Sequence, residues 1–298
     1  MFDNFLQVVA HCDKYPYGTA NDGSVPIVLN GRVIGNVLPN VRNPLIDYND
    51  NCQKPPFRIT HQIEFQPWVD SFDKRTQVVK ELMDTWRADG MQSLKGWRNE
   101  LYPVYGVSGE PDFVMERAAT PLFGISTFGV HVNGYTGDKL WVARRSKSKQ
   151  TWPGLLDNIV AGGISYQYST QETVVKECDE EASIPSSIAG RAKNAGIVSY
   201  YTVTEFGLQP ETQYVFDLPI PEDFTPTPKD GEVDEFYLMD MEEVKKTILN
   251  NEWKPNCALV TIDFMVRHGI LTADNEPDFI DIVSRLHRRL EFPNPRKV

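Results

Sequence analysis

The segment from Gly162 to Pro185 constrains this chain more than any other stretch. Ser169 followed three residues later by Glu172 is a capping box, in which each residue satisfies an unpaired N–H at a helix start, and Pro185 stands where a finished helix tolerates it. A helix over 170–182 follows. At about 100° per residue, Glu177, Glu180 and Glu181 share one edge of it, while Val174, Val175, Cys178 and Ala182 fill the adjoining arc. Packing that apolar stripe on a sheet would hold three carboxylates at fixed separations beside a cleft, where their repulsion invites a divalent cation. Hard oxygen ligands select Mg2+, with Mn2+ as the alternative, over zinc. Such an ion on a diphosphate spreads developing charge and acidifies an attacking water, which points to phosphoanhydride hydrolysis. The Gly162-Gly163 pair allows a close backbone turn, through which a Gly162 carbonyl can join the metal shell and a substrate phosphate can approach Gly163. The plainer alternative is a surface helix with a solvated acidic face.

Composition narrows the remaining choices. The 298 residues are 41% apolar and 24% charged, a globular mixture long enough for about two domains. With 41 acidic against 30 basic residues the formal charge is −11, which disfavours a nucleic-acid polymer as partner. No run of about 18 apolar residues suggests a membrane span, and Met1 to Lys14 reads neither as a secretory signal nor as a transit peptide. Cys12, Cys52, Cys178 and Cys257 lie far apart, as expected of reduced thiols in the cytoplasm. The five histidines are equally scattered, so no zinc arrangement can be drawn and any metal falls to carboxylates.

Along the chain, Phe2, Phe5, Leu6 and Val9 predict a short helix over 2–12. Asn30-Gly31 between Val25–Leu29 and Arg32–Val37 predicts a hairpin, because this dipeptide tolerates the two positive φ angles of a type I′ turn. Val79, Leu82, Met83 and Trp86 predict a helix between Ser71 and Gly90. Pro103, Gly106, Gly109 and Pro111 suit a connection, which sets the expected domains at 1–115 and 116–298. Beyond it, strands are expected at 128–132, 140–143, 197–203, 213–218 and 236–239, and helices at 170–182, 241–250, 256–268 and 278–290. That mixture argues for a layered α/β or α+β fold.

The register of Gly162, Lys176, Glu177, Cys178, Glu180, Glu181 and Ile184 resembles the Nudix box, Gx5Ex7REUxEExGU, with U an aliphatic residue. Three positions depart from it: Tyr168 replaces the first glutamate, Lys176 the arginine and Ser183 the late glycine. Losing the glutamate and arginine together leaves no orphan charge. The run from Leu140 through Trp152-Pro153-Gly154 to Asn158, together with Asp230 to Phe236, Lys254 to Leu259 and Ile262 to Gly269, resembles the eukaryotic, fungal-like thiamine-pyrophosphokinase-related Nudix subgroup. The resemblance implies an α/β/α Nudix sandwich preceded by a small α+β accessory domain. It also implies a Mg2+-dependent pyrophosphohydrolase that trims diphosphates of thiamine analogues, including oxidised forms, to monophosphates.

In that frame Glu177, Glu180, Glu181 and the Gly162 carbonyl are the expected metal ligands. Glu180, Glu181 and Glu235 are the candidate catalytic acids, with Glu232 an alternative to Glu235. Arg144, Arg145 and Lys149, beside Lys147 and Gly163, are candidates for the diphosphate, and Trp152 or Trp141 for stacking on a flat ring. The expected partner is a small-molecule diphosphate, and the chain is expected to be a monomer or homodimer. Oxidised nucleotides such as 8-oxo-dGTP are the rival substrates, and a catalytically weak Nudix-fold binding module is the rival class. The isopentenyl diphosphate isomerase branch shares the lead-in but carries a cysteine just after the asparagine, whereas Ile159, Val160 and Ala161 follow Asn158 here.

Overall fold

The structure, a computed structural model, describes residues 1–18 and 21–296; the last two residues of the expected 116–298 domain lie outside them. Helix α1 (Phe5–Cys12) begins where the Asn4 side chain accepts from the Gln7 N–H. The hairpin of β1 (Val25–Leu29) and β2 (Arg32–Val37) turns at Asn30, φ 51°, and Gly31, φ 75°, as Asn-Gly predicts. Helix α2 (Pro39–Asn51) escaped the sequence pattern because Pro44 lies inside it. Strands β3 (Phe57–Ile59) and β4 (Ile63–Phe65) complete a sheet of order β2-β1-β4-β3. Helix α3 (Phe72–Ala88), capped by Ser71, lays Val78, Val79, Leu82, Met83 and Trp86 into the core of this unit. Burying each such side chain contributes about 1.5–3 kcal/mol.

The expected connection over 101–121 is instead a second hairpin, β5 (Leu101–Tyr105) with β6 (Pro111–Glu116). It accommodates Pro103 because β5 pairs with β6 alone, and a residue without an N–H is tolerated on an open edge. The glycines serve the turn, with Gly109 at φ 76°.

The rest of the chain runs β7 (Thr127–Thr136), β8 (Lys139–Arg145), β9 (Leu156–Asn158), β10 (Val160–Gly163), α4 (Thr170–Ala182), α5 (Ser186–Ala189), β11 (Lys193–Thr204), β12 (Gly207–Pro219), β13 (Val233–Met239), α6 (Met241–Leu249), α7 (Pro255–Arg267) and α8 (Phe279–Leu286). The sheet order is β11-β12-β7-β8-β13, with β10 on β7 and β9 on β8. β7 meets β8 only at Tyr135 and Thr136, so the sheet divides into a β11-β12-β7-β10 branch and a β13-β8-β9 branch. β9 and β10 flank the division, joined by Ile159 alone.

One face of this sheet receives Val174, Cys178 and Ala182 of α4 against Phe128, Val130 and Val132. The other receives α7 and α8 against Val142, Leu156, Val198 and Val215. The result is the expected α/β/α sandwich. Helix α1, first in the chain, packs there too: Phe5, Val8, Val9 and Cys12 enter the core built around α7. The sequence reading grouped α1 with the N-terminal unit because sequence neighbours usually pack together.

Candidate active site

Helix α4 is held where the capping box predicts. Ser169 Oγ accepts from the Glu172 N–H at 3.2 Å, and Glu172 accepts from the Ser169 N–H at 2.9 Å. At the other end Ser183, φ 54°, occupies the left-handed position where the Nudix pattern has glycine, and its hydroxyl donates to the Thr227 carbonyl at 3.0 Å. Tyr168 points into solvent, so nothing buried replaces the missing glutamate.

The three glutamates are not equivalent. Glu181 is 8% exposed, and one carboxylate oxygen accepts from the Ala161 N–H at 3.1 Å, which ties α4 to β10. Glu177, with 16% of its side chain exposed, lies over Gly162: a Cβ there would stand 2.5 Å from its Cγ and 2.7 Å from its Oε1. Glu180, 47% exposed, turns outward to Lys176 at 2.7 Å, and the same ammonium lies 3.1 Å from Glu177. Lys176 thus does here what an i,i+4 ion pair does on any helix, and neutralises two of the three acids.

The expected glycine turn is absent. Gly162 and Gly163 are ordinary strand residues of β10, and the lack of a side chain makes room for Glu177 on one and for the Tyr102 hydroxyl on the other. Their signal was close packing, not backbone reversal.

Burial raises the affinity of Glu177 for its proton, and the Lys176 ammonium offsets only part of that. Glu181 is raised well above the ordinary carboxyl value by burial first, then by the charges of Asp157 and Glu177. A buried acid beside a half-buried one, both with raised proton affinity, forms a donor set of hard oxygens on rigid elements. That set fits Mg2+ or Mn2+.

Around it, Glu232 lies close enough for its charge to act on both Glu177 and Glu181, and Lys149 pairs with it and keeps it below the ordinary value against the effect of burial. Glu235 lies farther along β13 and accepts from the Tyr237 hydroxyl at 2.7 Å. Arg145 donates to Asp157 at 2.7 Å and to the carbonyls of Trp152 and Thr151, both at 3.0 Å, so all three nitrogens serve to shape the loop before β9. Arg144 donates to the Gly154 carbonyl at 3.0 Å. Trp152 is 44% exposed on that loop, whereas Trp141 is buried in the core and donates to Thr136.

The structure also gathers residues that the sequence scattered. His131 on β7, Asp157 on β9 and Cys257 on α7, all buried, place one ligand atom each within 4.8 Å of one another. The sequence reading, which leaves any metal to carboxylates, does not see this cluster. Distant strands converge, and no spacing rule sees that. Cys257 donates to Asp157 at 2.6 Å, and His131 Nδ1 lies 2.8 Å from Asn158 Oδ1. Burial pushes Asp157 up, but Lys254 and Arg145 outweigh it and hold the carboxyl at about 2. Burial and then Lys254 push His131 down to about 4. A divalent ion at this cluster would compete with two cations already present, which favours the Glu177–Glu181 face as the metal site.

Two family models together span most of the chain. The NUDIX domain family matches residues 126–257, and a domain of unknown function, DUF4743, matches residues 4–127. Uncharacterized protein YJR142W of Saccharomyces cerevisiae is 38% identical over 97% of this chain and 92% of its own length. Two Arabidopsis thaliana proteins, Nudix hydrolase 24, chloroplastic, and Nudix hydrolase 20, chloroplastic, are each 35% identical. They cover 95% and 96% of this chain and 77% and 78% of themselves. Among solved structures, DR0079 from Deinococcus radiodurans aligns over 63% of this chain and its own full length, at 18% identity and a TM-score of 0.41.

Proposed function

The chain belongs to the Nudix hydrolase family, a family of hydrolases acting on pyrophosphate bonds of small molecules with divalent metal ions, and from that premise we propose that it is a Mg2+-dependent diphosphatase of thiamine-analogue diphosphates. The single observation that carries the site is the clasp of α4 on β10: Glu181, buried, on the Ala161 N–H, and Glu177, half-buried, over Gly162. In this reading Glu177, Glu180, Glu181 and the Gly162 carbonyl hold the metal, and Mn2+ substitutes for Mg2+. Bound there, the ion offsets phosphate charge and lowers the pKa of water. Glu232 fits the role of proton acceptor better than Glu235, because its charge reaches Glu177 and Glu181. Lys149, beside Glu232, remains the cation best placed to meet a phosphate.

The substrate class rests on the likeness of the Leu140 to Asn158 stretch to the thiamine-pyrophosphokinase-related subgroup. The exposed Trp152 ring supports it, since a cationic heterocycle stacks favourably on an indole. Four free cysteines support a cytoplasmic setting. A panel of oxothiamine diphosphate, thiamine diphosphate and 8-oxo-dGTP, assayed for phosphate or diphosphate release with and without Mg2+, ranks them by kcat/KM. A preference for 8-oxo-dGTP replaces the substrate assignment. The bridging of Glu177 and Glu180 by Lys176 favours one second reading, a weakly catalytic binding module, and binding without metal-dependent turnover in this panel would establish it.

A further inference from the structure

The N-terminal domain reaches the site at Tyr102. Tyr102, on β5, is 4% exposed, and its hydroxyl rests against Gly163: a Cβ on that glycine would overlap the oxygen and stand 2.7 Å from Cζ. The contact is built rather than incidental. The Tyr166 N–H, in the loop between β10 and α4, donates to the Leu101 carbonyl at 2.8 Å and so pins the neighbouring residue of β5 to the catalytic domain. The Arg117 guanidinium lies 5.5 Å from the centre of the Tyr102 ring and is itself paired with Glu100 at 3.0 Å, which fixes the ring from behind.

The hydroxyl is nevertheless unused. Among the described residues it makes no hydrogen bond. The buried side-chain polar atoms left wholly without a partner are Arg42 Nε, Ser126 Oγ and Tyr201 Oη, so the Tyr102 oxygen keeps contact with solvent. A buried phenol usually places its hydroxyl on a partner, since phenylalanine packs as well without a polar atom to satisfy. Adjacent residues of a strand face opposite sides, so Glu177 over Gly162 and Tyr102 over Gly163 grip β10 from its two faces. The residues run side by side along an edge that pairs with no strand on its far side.

We infer that the Tyr102 hydroxyl donates a hydrogen bond to a phosphate oxygen of the bound diphosphate, so that the N-terminal domain supplies a substrate-binding group to the catalytic domain's site. The inference rests on the diphosphatase reading above. Burial, reinforced by the charges of Glu100, Glu211 and Glu177 against that of Arg117, pushes the phenol up to about 12, which keeps it a donor throughout the neutral range.

The test uses the full chain, Mg2+ and imidodiphosphate, a diphosphate that is not cleaved, with Kd measured by calorimetry and Tm by scanning. Tyr102→Phe removes one oxygen. A hydrogen bond to a charged group predicts a Kd about tenfold weaker or more, with Tm unchanged because the hydroxyl has no partner in the protein to lose. An unaltered Kd overturns the inference while leaving the diphosphatase reading intact. A Tm lowered by several degrees also overturns it, by showing a structural role for the hydroxyl. Absence of imidodiphosphate binding by the parent chain refutes both.

Discussion

Replacing Glu181 by Gln should stabilise the protein and disable it at once. The carboxyl is 8% exposed and its one hydrogen bond, from the Ala161 N–H at 3.1 Å, can be kept by an amide oxygen. What disappears is a buried negative charge that burial, Asp157 and Glu177 all disfavour. Because the folded pKa stands above the unfolded value of about 4.5, the parent is relatively most stable below that value. It loses stability as pH rises through the folded pKa. The variant escapes this loss. The expected gain at pH 8 is about 1–2 kcal/mol, the usual yield of relieving a strained functional group, or roughly 2–3 °C in Tm for a chain of this size. It should shrink toward zero below pH 4.5. Scanning calorimetry at both pH values, in EDTA so that no metal offsets the charge, measures the difference. Mg2+-dependent hydrolysis should fall by about 10²-fold or more, since a misplaced or missing ligand costs that much. A variant less stable at pH 8, or one whose hydrolysis stays within threefold of the parent, would refute the argument that Glu181 is a charge kept for the metal.

Gly162→Ala should push the Glu177 carboxyl off β10, because the new Cβ would stand 2.5 Å from its Cγ. A loss of about 100-fold in kcat/KM with little change in Tm is expected, since the long side chain swings outward. Arg145→Ala leaves Asp157 buried with Lys254, at 4.0 Å, as its remaining ion-pair partner among the described residues, and urea unfolding should show a loss of about 3 kcal/mol or more. His131, held at about 4, stays neutral in the folded chain while its unfolded counterpart protonates near 6.5. Its contribution is therefore whole above pH 6.5 and declines by about 3 kcal/mol as pH falls to 4, and His131→Gln should flatten that part of the stability profile.

Local rules made much of this fold readable. The Asn30-Gly31 turn and the Ser169–Glu172 box each act within a few residues, and both elements begin and end where those residues dictate. Pro44 and Pro103 misled for the opposite reason, since a proline breaks an isolated element but is tolerated when packing or an open edge removes its cost. Within the site, the order Glu177, Glu180, Glu181 was visible, but not that Glu180 turns outward to Lys176. Arg145 and Trp141 looked available in sequence and are spent on loop shape and core packing. The cluster of His131, Asp157 and Cys257, and the approach of Tyr102 to Gly163, join residues 26 to 126 positions apart, which only tertiary folding brings together.

Helix α1 gives the two-part layout a practical twist. Residues 5–12 leave the ribosome some 240 positions before α7 and α8, their docking partners, so the catalytic half cannot close until α8 has been made. The same stitch is fastened at its ends by the buried Asp13–Arg288 pair, at 2.8 Å. A fragment cut at the seam between the halves would carry Glu177, Glu180 and Glu181 yet expose the furrow in which α1 lies, and would be prone to self-association. Anyone wishing to isolate catalysis from the N-terminal half should graft α1 back rather than start at residue 126.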